Sequence, residues 1–185
     1  MSDNKGKDGE MMMLNIFSSA SIAHNGLEVT RPSKTNSADL GADMFLTAPQ
    51  NVIEILLNVA SGNFDTPSSI GIGNVSGNEV VKARIDSKNY DNKVSKAAMA
   101  KFLSEVPLHA DSQYHLIIGG PSVTKGAQKL LDDTKPVLDA QGIEVRHISD
   151  TGIFNLSEAY PSIRPGKPEN SKINTLSNID KDKDT

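Results

Sequence analysis

The sequence predicts a single three-layer α/β domain, a central mixed sheet flanked by helices, or an α+β variant of it if the first half is antiparallel. Three observations predict it. Residues 79–88 alternate strictly between apolar and charged, residues 114–119 form a continuous apolar run, and helical spacing fills the stretches around them. The second half therefore reads β-α-β-α-β, the order of a parallel sheet with helices packed on it. At 185 residues the chain suits one domain with tails. Residues 1–10 carry five charges with nothing to bury, and residues 161–185 hold three prolines, nine charges and four aliphatic residues. Both are expected to be disordered, leaving a folded domain over 11–160.

Residues 12–23 predict a short helix that ends at the Asn25–Gly26 turn, and residues 27–31 a strand stopped by Pro32. Residues 43–47 read as another short strand, and 52–59 as a compact apolar run compatible with either type. Glycine and serine then crowd 60–78, which predicts a loop-rich insertion inside the domain. In 79–88, Val81, Ala83 and Ile85 fall on one face and Lys82, Arg84, Asp86 and Lys88 on the other, the pattern of a half-buried strand with a charged face. Ser95 is placed to cap a helix whose Met99, Phe102, Leu103 and Val106 follow i, i+3, i+4, i+7 until Pro107. The run over 114–119 reads as a central strand. The Gly119-Gly120-Pro121 turn leads to a helix over 124–131, resumed over 136–140, and Gly142 separates it from a strand over 143–148.

Composition excludes several chemistries. There is no cysteine, so disulfides, thiolate metal sites and thiol nucleophiles are absent. No apolar run reaches the length needed to span a bilayer, and a soluble, cytoplasmic protein is expected. The net charge of −4 argues against a general polyanion binder while permitting a local basic cleft. Gly71, Gly73 and Gly77 have the wrong spacing and context for a dinucleotide loop. His24, His109, His115 and His147 lack metal-binding spacing and are read as packing or surface residues. Ser95 and Ser122 lack a nucleophile elbow, and both are read as helix caps.

One cluster carries chemistry. Asp86-Ser87-Lys88 ends the alternating strand, so a carboxylate and an ammonium leave the same face about 7 Å apart along the chain. That pairing suits divalent-metal phosphodiester hydrolysis, in which a carboxylate helps hold the cation and a lysine orients the attacking water and offsets charge at phosphorus. Asp-x-Lys occurs four times, at Asp3, Asp86, Asp91 and Asp133, but only the second copy ends a well-patterned strand. A second acid is expected from Asp39-Leu-Gly41-Ala-Asp43.

These pieces together resemble the restriction-endonuclease-like (PD-(D/E)XK) nucleases, and among them the Mrr-type enzymes. The corresponding segments are Gly26-Leu-Glu-Val29-Thr-Arg31, Asp39–Asp43, Asp86-Ser-Lys88-Asn-Tyr90, the helix over 94–106, Leu116–Gly119 and Ser122-Val-Thr124-Lys-Gly-Ala127, covering about 12–154. The resemblance implies that Asp43 and Asp86 are metal-binding acids, the Ser87 carbonyl a third ligand, Lys88 the catalytic lysine, and Mg²⁺ the cofactor. It departs from the family in two places. Asp86 stands where glutamine or glutamate is commoner, and the segment between the acids is longer than usual.

Charge supports a nucleic-acid partner, DNA by this resemblance. Between 82 and 101 there are six basic residues, Lys82, Arg84, Lys88, Lys93, Lys96 and Lys101, against two acids. Lys82, Arg84, Lys93, Lys96 and Lys101 are the expected phosphate contacts. Mrr-like proteins usually read their target through a separate domain, so selectivity here is expected from a protein partner. A competing resemblance assigns the same residues differently. Leu116-Ile-Ile-Gly-Gly-Pro121 followed by Thr124-Lys125 is also similar to the middle domain of release-factor-like proteins, which implies a non-catalytic ribosome-binding module with Asp43 remote from Asp86. A third reading is a degenerate nuclease fold kept as a binding or assembly protein.

Overall fold

A computed structural model describes residues 5–32, 41–63, 79–88 and 91–162. The expectations for Asp39, Tyr90, 64–78 and 163–185 lie outside the described residues. In chain order the elements are α1 (Lys5–Ala23), β1 (Glu28–Thr30), β2 (Met44–Pro49), α2 (Gln50–Ala60), β3 (Val80–Ser87), α3 (Lys96–Ser104), a 3₁₀ turn (Val106–His109), β4 (Tyr114–Ile118), α4 (Lys125–Asp139), β5 (Glu144–Ile148) and α5 (Asp150–Ala159). The strands lie in chain order across one sheet. β1, β2 and β3 form an antiparallel meander, whereas β3, β4 and β5 are parallel. The fold is thus the expected single domain of helices on a mixed sheet, in the α+β variant whose first half is antiparallel. None of the described helices is long and apolar enough to cross a membrane.

The two faces of the sheet build two separate cores. Met44, Leu46, Val81, Ala83, Ile85 and Leu116 face α1, α2 and α5, where they meet Phe17, Ile53 and Leu156. On the other face Ile117 and Val145 pack against Met99 and Phe102 of α3 and Ala127 and Leu131 of α4. β3 is the central strand, and β4, between β3 and the edge strand β5, has every residue buried, as a run covered on both faces requires.

Several elements differ from the sequence reading. α1 begins at Lys5, so residues 5–10, expected to be a disordered tail, extend the helix by more than one turn. The ambiguous run at 52–59 is helix α2. Six of its eleven residues are buried, and Gln50, Glu54 and Asn58 form the exposed stripe one turn apart that marks the helix once Gln50 is included. α4 runs unbroken through Pro136. Side-chain pairs one turn apart, Lys129 with Asp133 and Lys135 with Asp139, brace it across the missing amide. α5 is an addition to the expected elements. It is capped by the Ser149 hydroxyl and approaches α2 closely because Gly152 has no Cβ to meet Ile148 and the Ala60 carbonyl. Ser95 caps α3 through the Ala98 amide as expected, but the cap of α4 is Thr124 and not Ser122.

Candidate active site

The antiparallel pairing of β2 with β3 brings the two predicted acids together. Met44 is the register partner of Ile85, so Asp43, just before β2, meets the carboxyl end of β3. The Asp43 amide donates to the Ile85 carbonyl at 2.8 Å, and its Oδ2 accepts from the Ser87 amide at 2.6 Å. Asp86, almost fully buried, places Oδ1 2.6 Å from Lys88 Nζ, and the lysine side chain is a quarter exposed. Asp43, Asp86, Ser87 and Lys88, forty-odd positions apart in sequence, share one end of the sheet.

Their electrostatics reflect burial first and like charge second. The Asp43 carboxyl is pushed up to about 6, first by burial and then by the charges of Asp86 and Glu10, against the opposing Ser87 amide and Lys88 ammonium. Asp86 is also raised, chiefly by burial, with Lys88 and Arg84 opposing and Glu105 reinforcing. A pair of carboxylates, Asp86 buried and Asp43 half-buried, in which the Asp86 charge raises the proton affinity of Asp43 is a donor set that a small hard cation would relieve. No three histidine, cysteine, aspartate or glutamate side chains among the described residues are arranged to hold a metal. A cation here would draw on the two aspartates and a main-chain oxygen. The Ser87 carbonyl fits that part, because the N–H and C=O of one strand residue point to the same edge and this N–H is directed at Asp43. Mg²⁺, which keeps several of its own waters, suits so sparse a set.

Arg84 is the main correction. The charged face of β3 is exposed only at its two ends, Lys82 and Lys88; its middle is buried, with α3 against Arg84, which has no accessible surface. Its Nη2 and Nε donate to the Gly41 carbonyl at 2.8 and 3.2 Å, Nη1 donates to the Phe102 carbonyl, and Nη2 pairs with Glu105 at 2.6 Å. The guanidinium also lies 4.7 Å over the Phe102 ring. It therefore contacts no phosphate. Its role is to anchor the turn that carries Asp43. Gly41 is required in that turn by its φ of +75° and because a Cβ would lie 1.9 Å from the Glu105 carboxylate.

The remaining predicted phosphate contacts divide. Lys82 lies at the far end of β3 from Lys88, roughly 20 Å away at strand rise, paired with Asp111 at 2.6 Å and resting over the Phe45 ring. It is not brought to the site. Lys101 is exposed in the last turn of α3, 3.9 Å from Glu105. Lys93 and Lys96 are exposed beside the amino end of α3, on the same end of the sheet as Asp86.

Three neighbouring residues escaped the sequence reading. Glu10 acts electrostatically on Asp43 from α1 and is bonded to Arg31 at 2.7 Å. The spacing of Met13, Ile16, Phe17 and Ala20, carried back one turn, is the available signal. Glu105 balances Arg84, and its only sequence sign is its position four residues after Lys101. Gly119, with φ +121°, packs so tightly that a Cβ there would lie 1.7 Å from the Lys88 carbonyl oxygen. Its own carbonyl meets His147 Nε2 at 2.8 Å, and the Lys88 amide donates to Ile118 at 2.7 Å. Of the other histidines, His24 meets the Tyr160 hydroxyl at 2.7 Å, and His115 is buried with Nε2 3.1 Å from the Ser112 carbonyl.

The chain matches no protein-family model, no curated protein and no solved structure.

Proposed function

We propose that the chain hydrolyses phosphodiester bonds of nucleic acid, DNA in the first instance, with Mg²⁺ held by Asp43, Asp86 and the Ser87 carbonyl and with Lys88 as the catalytic lysine. The observation that supports this most is the convergence of Asp43, Asp86 and Lys88 through the Met44–Ile85 register. When bound, the cation supplies Lewis-acid stabilisation of the phosphoryl oxygens and lowers the pKa of an attacking water. The protein's own groups do the rest. Asp86 fixes the Lys88 ammonium through a 2.6 Å ion pair, which sets its positive charge beside the place where negative charge would grow on a phosphoryl oxygen. Arg84 and Gly41 hold the Asp43 turn in register, and Gly119 fixes the main chain at Lys88.

The test is cleavage of supercoiled plasmid DNA with Mg²⁺, by the intact chain and by Lys88→Ala and Asp43→Asn. Each substitution is expected to slow cleavage by about 100-fold or more, and chelation of the metal to stop it. Cleavage indifferent to both substitutions would overturn the site. Absence of cleavage on plasmid DNA, single-stranded DNA and RNA would favour the non-catalytic binding module instead.

A further inference from the structure

We infer that the seam between α3 and α4 is the docking surface for the substrate backbone, with Lys93, Lys96 and Lys125 as contacts to the phosphates of duplex DNA. This rests on the nuclease reading for its direction, since it says where the nucleic acid runs once it leaves the acids. The first observation is a contrast in pairing. Every other lysine or arginine whose side chain is described has a carboxylate within 4.0 Å, including Lys129 and Lys135 on the same α4. Lys93, Lys96 and Lys125 have none among the described residues, and all three are exposed. The nearby acids of α4 are already engaged, Asp132 by Gln128 and Asp133 by Lys129.

The second observation is that these three cations adjoin one another although they come from two helices. Val94 bridges Val123, and the Thr124 amide donates to the Val94 carbonyl at 3.0 Å, which sets Lys93 beside the entry to α4. The Lys96 side chain lies across Gly126, within 3.5 Å of where its Cβ would be, next to Lys125. Three uncompensated ammonium groups on one patch repel each other, and a phosphate backbone is their natural counterpart.

The third observation is position. The patch sits where β3 and β4 run out into their following helices, the end of the sheet that holds Asp86 and Lys88. A strand of nucleic acid crossing it arrives at the acids without a turn around the molecule. Duplex rather than single-stranded DNA is favoured because a duplex carries one negative charge per about 1.7 Å of its axis, the denser counterpart for a cluster of ammonium groups.

The experiment measures binding of a mixed-sequence 20-bp duplex by fluorescence anisotropy in EDTA between 50 and 200 mM salt, so that cleavage plays no part. Each of Lys93→Gln, Lys96→Gln and Lys125→Gln is expected to weaken binding and to lower the slope of log K against log salt by about 0.9, and the triple variant by nearly three. Lys135→Gln, on the paired stretch of α4, is expected to leave the slope unchanged. A triple variant with the intact chain's slope, equal losses from Lys135→Gln, or tighter binding of a single strand of the same length would each overturn the assignment. A plasmid assay that fails while the duplex slope falls would overturn the hydrolytic reading and leave the docking surface standing.

Discussion

The Arg84 guanidinium holds the Gly41 carbonyl from two nitrogens at once, Nη2 at 2.8 Å and Nε at 3.2 Å, while the same Nη2 is 2.6 Å from Glu105. A fully buried cation is tolerated here because its donors are met by carbonyls and a carboxylate. Removing it would strand Glu105 and free the turn before Asp43. Arg84→Met is expected to destabilise the fold by about 3–5 kcal/mol in urea unfolding. Arg84→Lys is expected to recover less than half of that, since a single ammonium lacks the planar fork.

Two glycines with positive φ separate strain from steric conflict. Gly142 (φ +72°) has nothing within 4 Å of the position a Cβ would take, so Gly142→Ala is expected to cost only the left-handed backbone penalty of about 1–2 kcal/mol. Gly119 (φ +121°) would press its Cβ into the Lys88 carbonyl. Gly119→Ala is therefore expected to cost more, and alone of the two to reduce plasmid cleavage at matched folded fraction. Equal stability losses with unaltered cleavage would show that Gly119 has no part in setting Lys88.

His115 gives the stability an acid-sensitive component. Burial, aided by the Arg84 charge and opposed by the Ser112 carbonyl, lowers its pKa from 6.5 to about 4. Between those values the unfolded chain binds a proton that the native state refuses, so stability falls as the pH drops from about 6.5 to about 4 and levels off below. Asp43, raised to about 6, acts with the opposite sign between pH 3.8 and 6, because there the native state holds the extra proton. Comparing the chain with His115→Leu cancels the Asp43 contribution. The wild type is expected to lose up to about 3 kcal/mol relative to the variant between pH 7 and pH 4, and parallel urea-unfolding curves over that range would refute the assignment.

The hydroxyls at helix starts are structural. Ser95→Ala and Thr124→Ala each remove an acceptor for a first-turn amide, at 3.1 and 3.2 Å, and are expected to cost about 1 kcal/mol each. Cleavage rates of the folded fraction should be unchanged. A loss of two or more orders of magnitude at Ser95 would instead mark it as a nucleophile.

The strands were legible because each carries its own signature. β4 is apolar but for His115 and buried at every position, and β3 alternates, so their existence as strands could be read from the residues alone. Alternation does not say what covers the polar face. A charged row such as Lys82, Arg84 and Asp86 looks alike whether water or α3 lies over it, and Glu105, which makes burial of Arg84 tolerable, is twenty-one positions away. α2 was legible from the one-turn spacing of its exposed Gln50, Glu54 and Asn58, which the shorter run at 52–59 cuts off, whereas a loop-forming composition masks the start of α1 at 5–10. Asp43, Asp86 and Lys88 could be singled out because acid and lysine at the end of a strand have few structural reasons to be there. Glu10 and Gly119 could not, since their importance comes from tertiary neighbours alone.

The chain leaves β2 at Pro49 and re-enters the sheet opposite it at Val80, whereas Asp43 and Ser87 close the other end of the same pair. Glu79 thus enters at the pole remote from the acids, some six residue pairs along the ladder, whereas the end of α2 lies at the acids' own pole, where the Ala60 carbonyl accepts from Asn155 beside Ile148. A fluorophore or surface linkage attached at the exposed Glu79 would therefore sit a full strand's length from Asp43 and Asp86, which makes that position the natural handle for immobilising the protein.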